Sequence, residues 1–210
     1  MNLYFVCYVL LFFSLLIEKV AWSLDRMGIE YVREDHHCFL GMLLGGSFVP
    51  VLEVGPYTKI MESSHILKFL FGMWPEKAEF LDPSDEESRQ LVNEFDVLAV
   101  HVARYLYYHI FNVSDPSLLE RLWMTGIPAH EKLLGKFMLL PVAAAAIKYI
   151  LKINKCNMER SREKVREGFR KISDRLSDGR KYLMGDKFTY VDLCFSSVCG
   201  PAVFPGKSIF

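Results

Sequence analysis

Three short stretches of this 210-residue chain carry side chains that could do chemistry on a peptide-like, thiol-bearing molecule. The first is Phe48-Val49-Pro50-Val51-Leu52, a proline inside a run that otherwise reads as a strand. Proline has no N–H for a ladder, so it belongs at a strand start or at an edge. It also permits a cis peptide, and a cis Val49-Pro50 bond would leave the N–H and C=O of Val49 pointing outward, free to pair with an extended peptide. An ordinary edge-strand proline is the simpler alternative. The second is Glu62-Ser63, placed where a strand gives way to a helix. A carboxylate, a hydroxyl and the free N–H groups of a helix N-terminus match a ligand with both an ammonium and a carboxylate. Ser63 as a plain N-cap accounts for the same residues. The third is Ser14, expected just ahead of a helix, where a thiolate would be stabilised; again an N-cap is the alternative. A fourth feature, Phe188-Thr189-Tyr190-Val191-Asp192-Leu193, has the spacing of a capping box with Asp at N3 and of a hydrophobic staple. It reads as a folding device.

The elements that would position these residues follow from the apolar pattern. Residues 1–17 carry no charge and 15 of them are apolar. A secretory signal needs a basic start and a small-residue cleavage site, and a membrane span needs about 20 apolar residues; neither is met. A buried parallel strand running into a helix fits best, because such strands are covered on both faces. A membrane or signal segment and a misplaced gene start are the alternatives. A helix from near Ser14 is expected to end at Gly28, and a short strand to follow at residues 29–32. Residues 33–46 give little regular signal. Residues 48–54, the Gly55-Pro56 turn and residues 57–61 read as a hairpin, and residues 63–71 as a helix.

The order is β-α-β, a loop, then β-β-α, a compact α/β unit. Beyond it only helices are expected. Val92, Phe95, Ala99, Val102 and Leu106 form one stripe, and Val165, Phe169, Ile172 and Leu176 another. Residues 129–154 read as a further helix that Pro141 kinks or divides. The expected domains are residues 1–75, with 1–7 as an extension, a linker at 76–84, and an all-α region at 85–210 that is short at its C-terminal end.

Composition narrows the function. With 25 basic and 25 acidic residues the chain lacks the basic excess of a nucleic-acid binder. Residues 1–80 hold 6 basic and 9 acidic side chains and residues 81–210 hold 19 and 16, an asymmetry too small to name a partner. The five cysteines, Cys7, Cys38, Cys156, Cys194 and Cys199, form no CxxC pair, which argues against a zinc site and a disulfide framework. Free thiols in a reducing compartment are expected.

Taken together, these residues resemble the soluble glutathione transferase superfamily. Val49-Pro50-Val51-Leu52 is similar to its cis-proline segment and Glu62-Ser63 to its acidic-Ser motif. Residues 178–189, leading into the capping box, are similar to its helical-domain signature. Glu18-Lys19 with Trp22, Leu24 and Asp25 resembles the first helix of a microbial-type subgroup. The resemblance implies a thioredoxin-like α/β N-terminal domain plus an all-α C-terminal domain. It implies glutathione as co-substrate and no metal. Val49 would pair with its cysteinyl part beside Pro50, and Glu62 and Ser63 would hold its γ-glutamyl end. Ser14 would donate to the sulfur, lowering the thiol pKa. Tyr105, Tyr108 and Trp123 are candidate liners of a second pocket, with core packing as the alternative. A weak transferase acting on small electrophilic apolar molecules, a cytoplasmic homodimer in detoxification, is what the resemblance implies, with no nucleic-acid partner. The chain departs from the pattern at Leu15, Leu16 and Ile17, which stand where Pro, an aromatic and a small polar residue or Cys are usual. The basic residue often found near Val49 for the glycyl carboxylate is missing, leaving Ser47, His36 or His37 to substitute. A non-enzymatic interaction or scaffold protein of the same fold, and a membrane-associated redox protein anchored by residues 1–17, are the alternatives.

Overall fold

The computed structural model describes residues 3–9, 11–37, 50–82, 85–112, 117, 120–121, 127–134 and 140–203. The chain divides into two compact units, residues 1–77 with 113–147 and residues 78–112 with 148–210.

The first unit is built on a four-stranded sheet in the order β2-β1-β3-β4. Its strands are β1 (Leu3–Val9), β2 (Val32–His37), β3 (Val51–Val54) and β4 (Thr58–Met61). β2 lies parallel to β1, whereas β3 is antiparallel to both β1 and β4. Strand β1 is interior, which accounts for the unbroken apolar run at the start of the chain. Residues 3–7, expected as an extension, are therefore part of the central strand. The run continues into α1 (Leu11–Met27), so the described residues among 1–17 are shared between a strand and a helix. Among the described residues no helix is long and apolar enough to cross a membrane.

Helix α1 closes at Gly28, whose φ is +62°. Gly28 N–H donates to Asp25 O and Ile29 N–H to Leu24 O, both at 3.0 Å, the paired bonds of a Schellman cap. Helix α2 (Ser63–Met73) packs against α1. Leu15, Ile17, Val20 and Leu24 of α1 are buried, as are Ile66, Leu67 and Leu70 of α2 and Leu52 of β3. Strand β2 corrects the sequence reading, which ended the strand at Val32. The observed strand begins there and runs through Arg33, Glu34, Asp35 and His36. As a sheet edge it needs no apolar face on its open side. Arg33 lies 3.0 Å from Asp35 and 3.9 Å from Glu18, so its charges find partners nearby. Of the expected helix over 129–154, the described residues show α4 (Ala129–Leu134) and α5 (Leu140–Ile150). Pro141 falls in the first turn of α5, where its missing N–H costs no helical bond.

The second unit contains α3 (Glu86–Asn112), α6 (Lys155–Leu176) and α7 (Tyr190–Val203). Helix α3 packs on both of the others. Phe95, Ile172, Leu183, Val191 and Cys194 form one buried cluster, and Leu98, Val102, Val198 and Cys199 another. Burial pushes the Cys199 thiol up to about 12, so it is an inert core group. The expected capping box is formed in one half, from the Asp192 side chain back to Thr189. Asp192 Oδ2 accepts from the Thr189 N–H and hydroxyl, each at 2.8 Å, and Asp192 Oδ1 accepts from Leu183 N–H at 2.8 Å. One carboxylate thus ties the turn around Leu183 to the start of α7.

Candidate functional site

The pairing register brings the expected site elements to one end of the sheet. Val9 pairs with His37, Val6 with Val51, and Val51 with Met61. The C-terminal ends of β1, β2 and β4 and the N-terminal end of β3 therefore share one edge. Helices α1 and α2 both begin there. Neither has an acidic residue in its first turn, although Glu62 stands directly before the first residue of α2.

Pro50 directly precedes β3 and is buried. Since β3 is interior, Pro50 marks a strand start and not an edge. Its carbonyl accepts from Glu62 N–H at 3.1 Å, which joins two of the expected site segments directly. Val49, and with it the Val49-Pro50 peptide, lies outside the described residues.

Glu62 has φ 69° and ψ 135°. A non-glycine residue in this region is strained by about 1–3 kcal/mol and is held there only by its surroundings. Here the Pro50 carbonyl fixes its N–H, and its own carbonyl accepts from Ile66 N–H at 3.0 Å. Glu62 is itself the cap residue of α2, and no side-chain hydrogen bond caps the helix. The alternative of Ser63 as an ordinary N-cap is therefore not realised: Ser63 is the first helical residue and is buried, 7% exposed. The Glu62 carboxylate lies 3.7 Å from His65 Nδ1 and is half exposed. A carboxylate that makes no capping hydrogen bond and a hydroxyl thus stand side by side at a helix start.

Ser14 is the fourth residue of α1, inside the first turn. The sequence reading placed it just ahead of the helix. Leu11, Phe12 and Phe13 offer no breaker, so the helix starts three residues earlier. Leu15 and Ile17, which stand in place of the usual motif, are core residues at 4% and 1% exposure.

Of the side chains considered for a glycyl carboxylate, His36 is near the C-terminal end of β2 at the same sheet edge. Its Nδ1 is 2.8 Å from Glu131 Oε1. No local signal marks Glu131, because its partner lies 95 residues away. Ser47 and the side chain of His37 lie outside the described residues, as does Trp123. Tyr105 and Tyr108 are half-buried on α3 and meet His109 edge-on, with centroids at 4.6 and 5.6 Å. A groove of about 520 Å³ in the second unit runs between α3 and α6 past Leu91, Phe95, Leu98 and Ile172. None of Ser14, Pro50, Glu62 or Ser63 lines it.

Behind the site, burial raises the pKa of Glu18 on α1 above the usual carboxylate value, while Arg33 and a hydrogen bond from Trp22 pull it back. Among the described residues no group of three or more His, Cys, Asp or Glu side chains could hold a metal ion.

Residues 157–209 match the family model for the glutathione S-transferase C-terminal domain. No curated protein matches the chain. Among solved structures, FzlA from C. crescentus is similar with a TM-score of 0.63 at 16% identity, over 98% of this chain and 80% of that one. A glutathione S-transferase from the Antarctic clam Laternula elliptica gives 0.60 at 16% identity, over 98% and 80%. A glutathione S-transferase from Methylobacillus flagellatus, solved with glutathione bound, gives 0.56 at 15% identity, over 95% and 82%. The fold is therefore that of the glutathione transferases, a thioredoxin-like sheet unit followed by helices.

Proposed function

We propose that this chain, whose resemblance to the glutathione transferase superfamily now extends to its fold, binds reduced glutathione at the end of its sheet where Pro50, Glu62 and Ser63 meet the start of α1. We assign it the conjugation of glutathione to small electrophilic apolar molecules. The observation that carries this is the strained Glu62, joined to Pro50 and followed by the buried Ser63, with neither side chain used to cap α2. In this reading Glu62 meets the ammonium and Ser63 the carboxylate of the γ-glutamyl group, and the backbone of Val49 pairs with the cysteinyl residue. The Ser14 hydroxyl donates to the sulfur and favours the thiolate. The thiol proton leaves to solvent, the sulfur attacks an electrophilic carbon, and a leaving group departs with its electron pair. In this proposal residues 1–75 are the glutathione-binding domain, 76–84 the linker and 85–210 the helical domain, of which 113–147 cluster with the first unit. A homodimer in the cytoplasm, acting in detoxification, completes the proposal.

Calorimetric titration with glutathione, followed by turnover of a chlorinated nitroaromatic substrate, tests it. Heat and turnover are expected, with Ser14→Ala losing at least about tenfold in rate, or about 1.4 kcal/mol of barrier. No heat from the folded protein refutes the glutathione reading. The core positions of Leu15 and Ile17, where the family motif is altered, support one second reading, a binding or scaffold protein without catalysis. Glutathione binding with no turnover, or with turnover indifferent to Ser14→Ala, would favour it.

A further inference from the structure

We propose that α5 and the turn after it, Val142 to Lys155, are a docking site for the surface of an anionic lipid bilayer. The sequence marks the segment. Residues 132–158 contain five lysines, at 132, 136, 148, 152 and 155, and no acidic residue. Within this stretch α5 carries a single charged residue, Lys148. A helix so apolar all round belongs in an interior. This one is only partly covered. Ala143 and Ile147 are buried, whereas Val142, Tyr149 and Ile150 are 51%, 85% and 70% exposed. Spacings of seven and eight put these three on one face of the helix.

The turn that follows adds cations beside that face. Lys152 N–H donates to Tyr149 O at 3.1 Å and Ile153 N–H to Lys148 O at 2.9 Å, the paired bonds of a Schellman cap. Lys152 takes the left-handed position of the cap, with φ 49°, where glycine is usual. Its carbonyl accepts from Asn157 Nδ2 at 2.9 Å, which ties the turn to the start of α6. Lys148, Lys152 and Lys155 are all exposed on this fixed turn. Lys148 Nζ rests over the Phe111 ring at 4.8 Å, a contact that places its charge without neutralising it. Among the described residues none of the three lysines is ion-paired to a carboxylate. Lys148 and Lys152 also line, with Tyr149, Ile150 and Ile153, a concavity of about 400 Å³ that has room for a lipid headgroup.

The chemistry of the face selects its occupant. Tyr and Ile side chains among lysines suit a segment lying in the bilayer interface, where apolar groups enter the headgroup boundary and cations stay with the phosphates. A second copy of the chain is disfavoured, because a two-fold interface lays a patch on itself and would set these lysines against one another.

Co-sedimentation of the full chain with phosphatidylcholine vesicles, without and with about 30% phosphatidylserine, tests the inference. Binding at about 0.1 M salt should be at least about tenfold tighter with phosphatidylserine, and should weaken at least about fivefold at 1 M. Tyr149→Ser with Ile150→Ser should weaken it at least about tenfold. Lys152→Gly with Lys155→Gln should do the same, at about fivefold per lysine. Glycine suits the cap position, so this second variant keeps the turn and its loss of binding does not come from unfolding. Lys187→Gln, at a side chain 87% exposed and outside the segment, should change binding less than about twofold. Binding that is absent or equal on the two vesicles overturns the inference, as does binding that neither double variant reduces. A loss from Lys187→Gln as large as from the lysines of the turn overturns it too. Sedimentation velocity without vesicles tests the second copy: self-association that Tyr149→Ser with Ile150→Ser abolishes would give the face to a dimer and refute the lipid assignment.

Discussion

Glu62 offers a test in which strain and function separate. Its φ of 69° with ψ of 135° is a conformation that glycine adopts freely and glutamate does not. Two substitutions divide its roles. Glu62→Ala removes the carboxylate and keeps the Cβ that causes the strain, whereas Glu62→Gly removes both. The strain is worth about 1–3 kcal/mol. Glycine also frees the unfolded chain, which costs about 0.5–1 kcal/mol relative to alanine. Glu62→Gly should therefore be the more stable of the two, by up to about 2.5 kcal/mol once the glycine cost is taken from the strain. Urea unfolding followed by circular dichroism measures it, and a slope of about 1–3 kcal/mol per molar resolves a gain of this size. If the proposed role of Glu62 holds, calorimetry should meanwhile show both variants losing glutathione affinity, since both lack the carboxylate assigned to the ammonium. A glycine variant less stable than the alanine variant would refute the strain argument. Undiminished glutathione binding in both would refute the assignment of Glu62.

Two further outcomes follow from the buried carboxylate of Asp192 and the half-buried one of Glu18. Asp192→Ala deprives two backbone N–H groups and one hydroxyl of a charged acceptor. At about 1.5–3 kcal/mol per charged hydrogen bond, with incomplete additivity, the loss should be about 3–5 kcal/mol in urea unfolding, and less than about 1 kcal/mol would contradict the geometry. Glu18 has a raised pKa in the folded chain, first through burial. The folded state holds its proton more tightly than the unfolded one. The stability this confers is fully present below the unfolded value and is lost as pH rises through the folded one. Glu18→Gln should thus gain on the wild type between pH 4 and pH 7, and a difference between the two that stays flat over that range would show that Arg33 offsets the burial.

What could be read from the sequence depended on how far apart the interacting groups lie. The Thr189–Asp192 box was legible because its partners are three residues apart, and Gly28 because one residue sets the cap. The hairpin of β3 and β4 was legible from a turn pair between two apolar runs. Strand β2 was not, because an edge strand can alternate charged side chains that satisfy one another, as Arg33 and Asp35 do, and hydrophobic periodicity is blind to that. The start of α1 was misplaced for a related reason: Ser14 looked like a cap, yet the apolar residues before it continue a helix as readily as a strand. The pair of His36 and Glu131 left no local trace at all.

Glu62 is the most instructive case, because the sequence located it and could not show what is unusual about it. Local preference argues against glutamate at a positive φ, and the two backbone hydrogen bonds to Pro50 and from Ile66 would hold a glycine there equally well. Those bonds explain how the conformation is kept but not why the residue has a side chain. A strained position that retains a charged group beside a buried hydroxyl is what the proposed contact of Glu62 with the γ-glutamyl ammonium would explain. The stability difference between glycine and alanine at position 62 therefore measures how much of the fold is set against itself at this site. The loss of affinity in both variants measures what that opposition maintains.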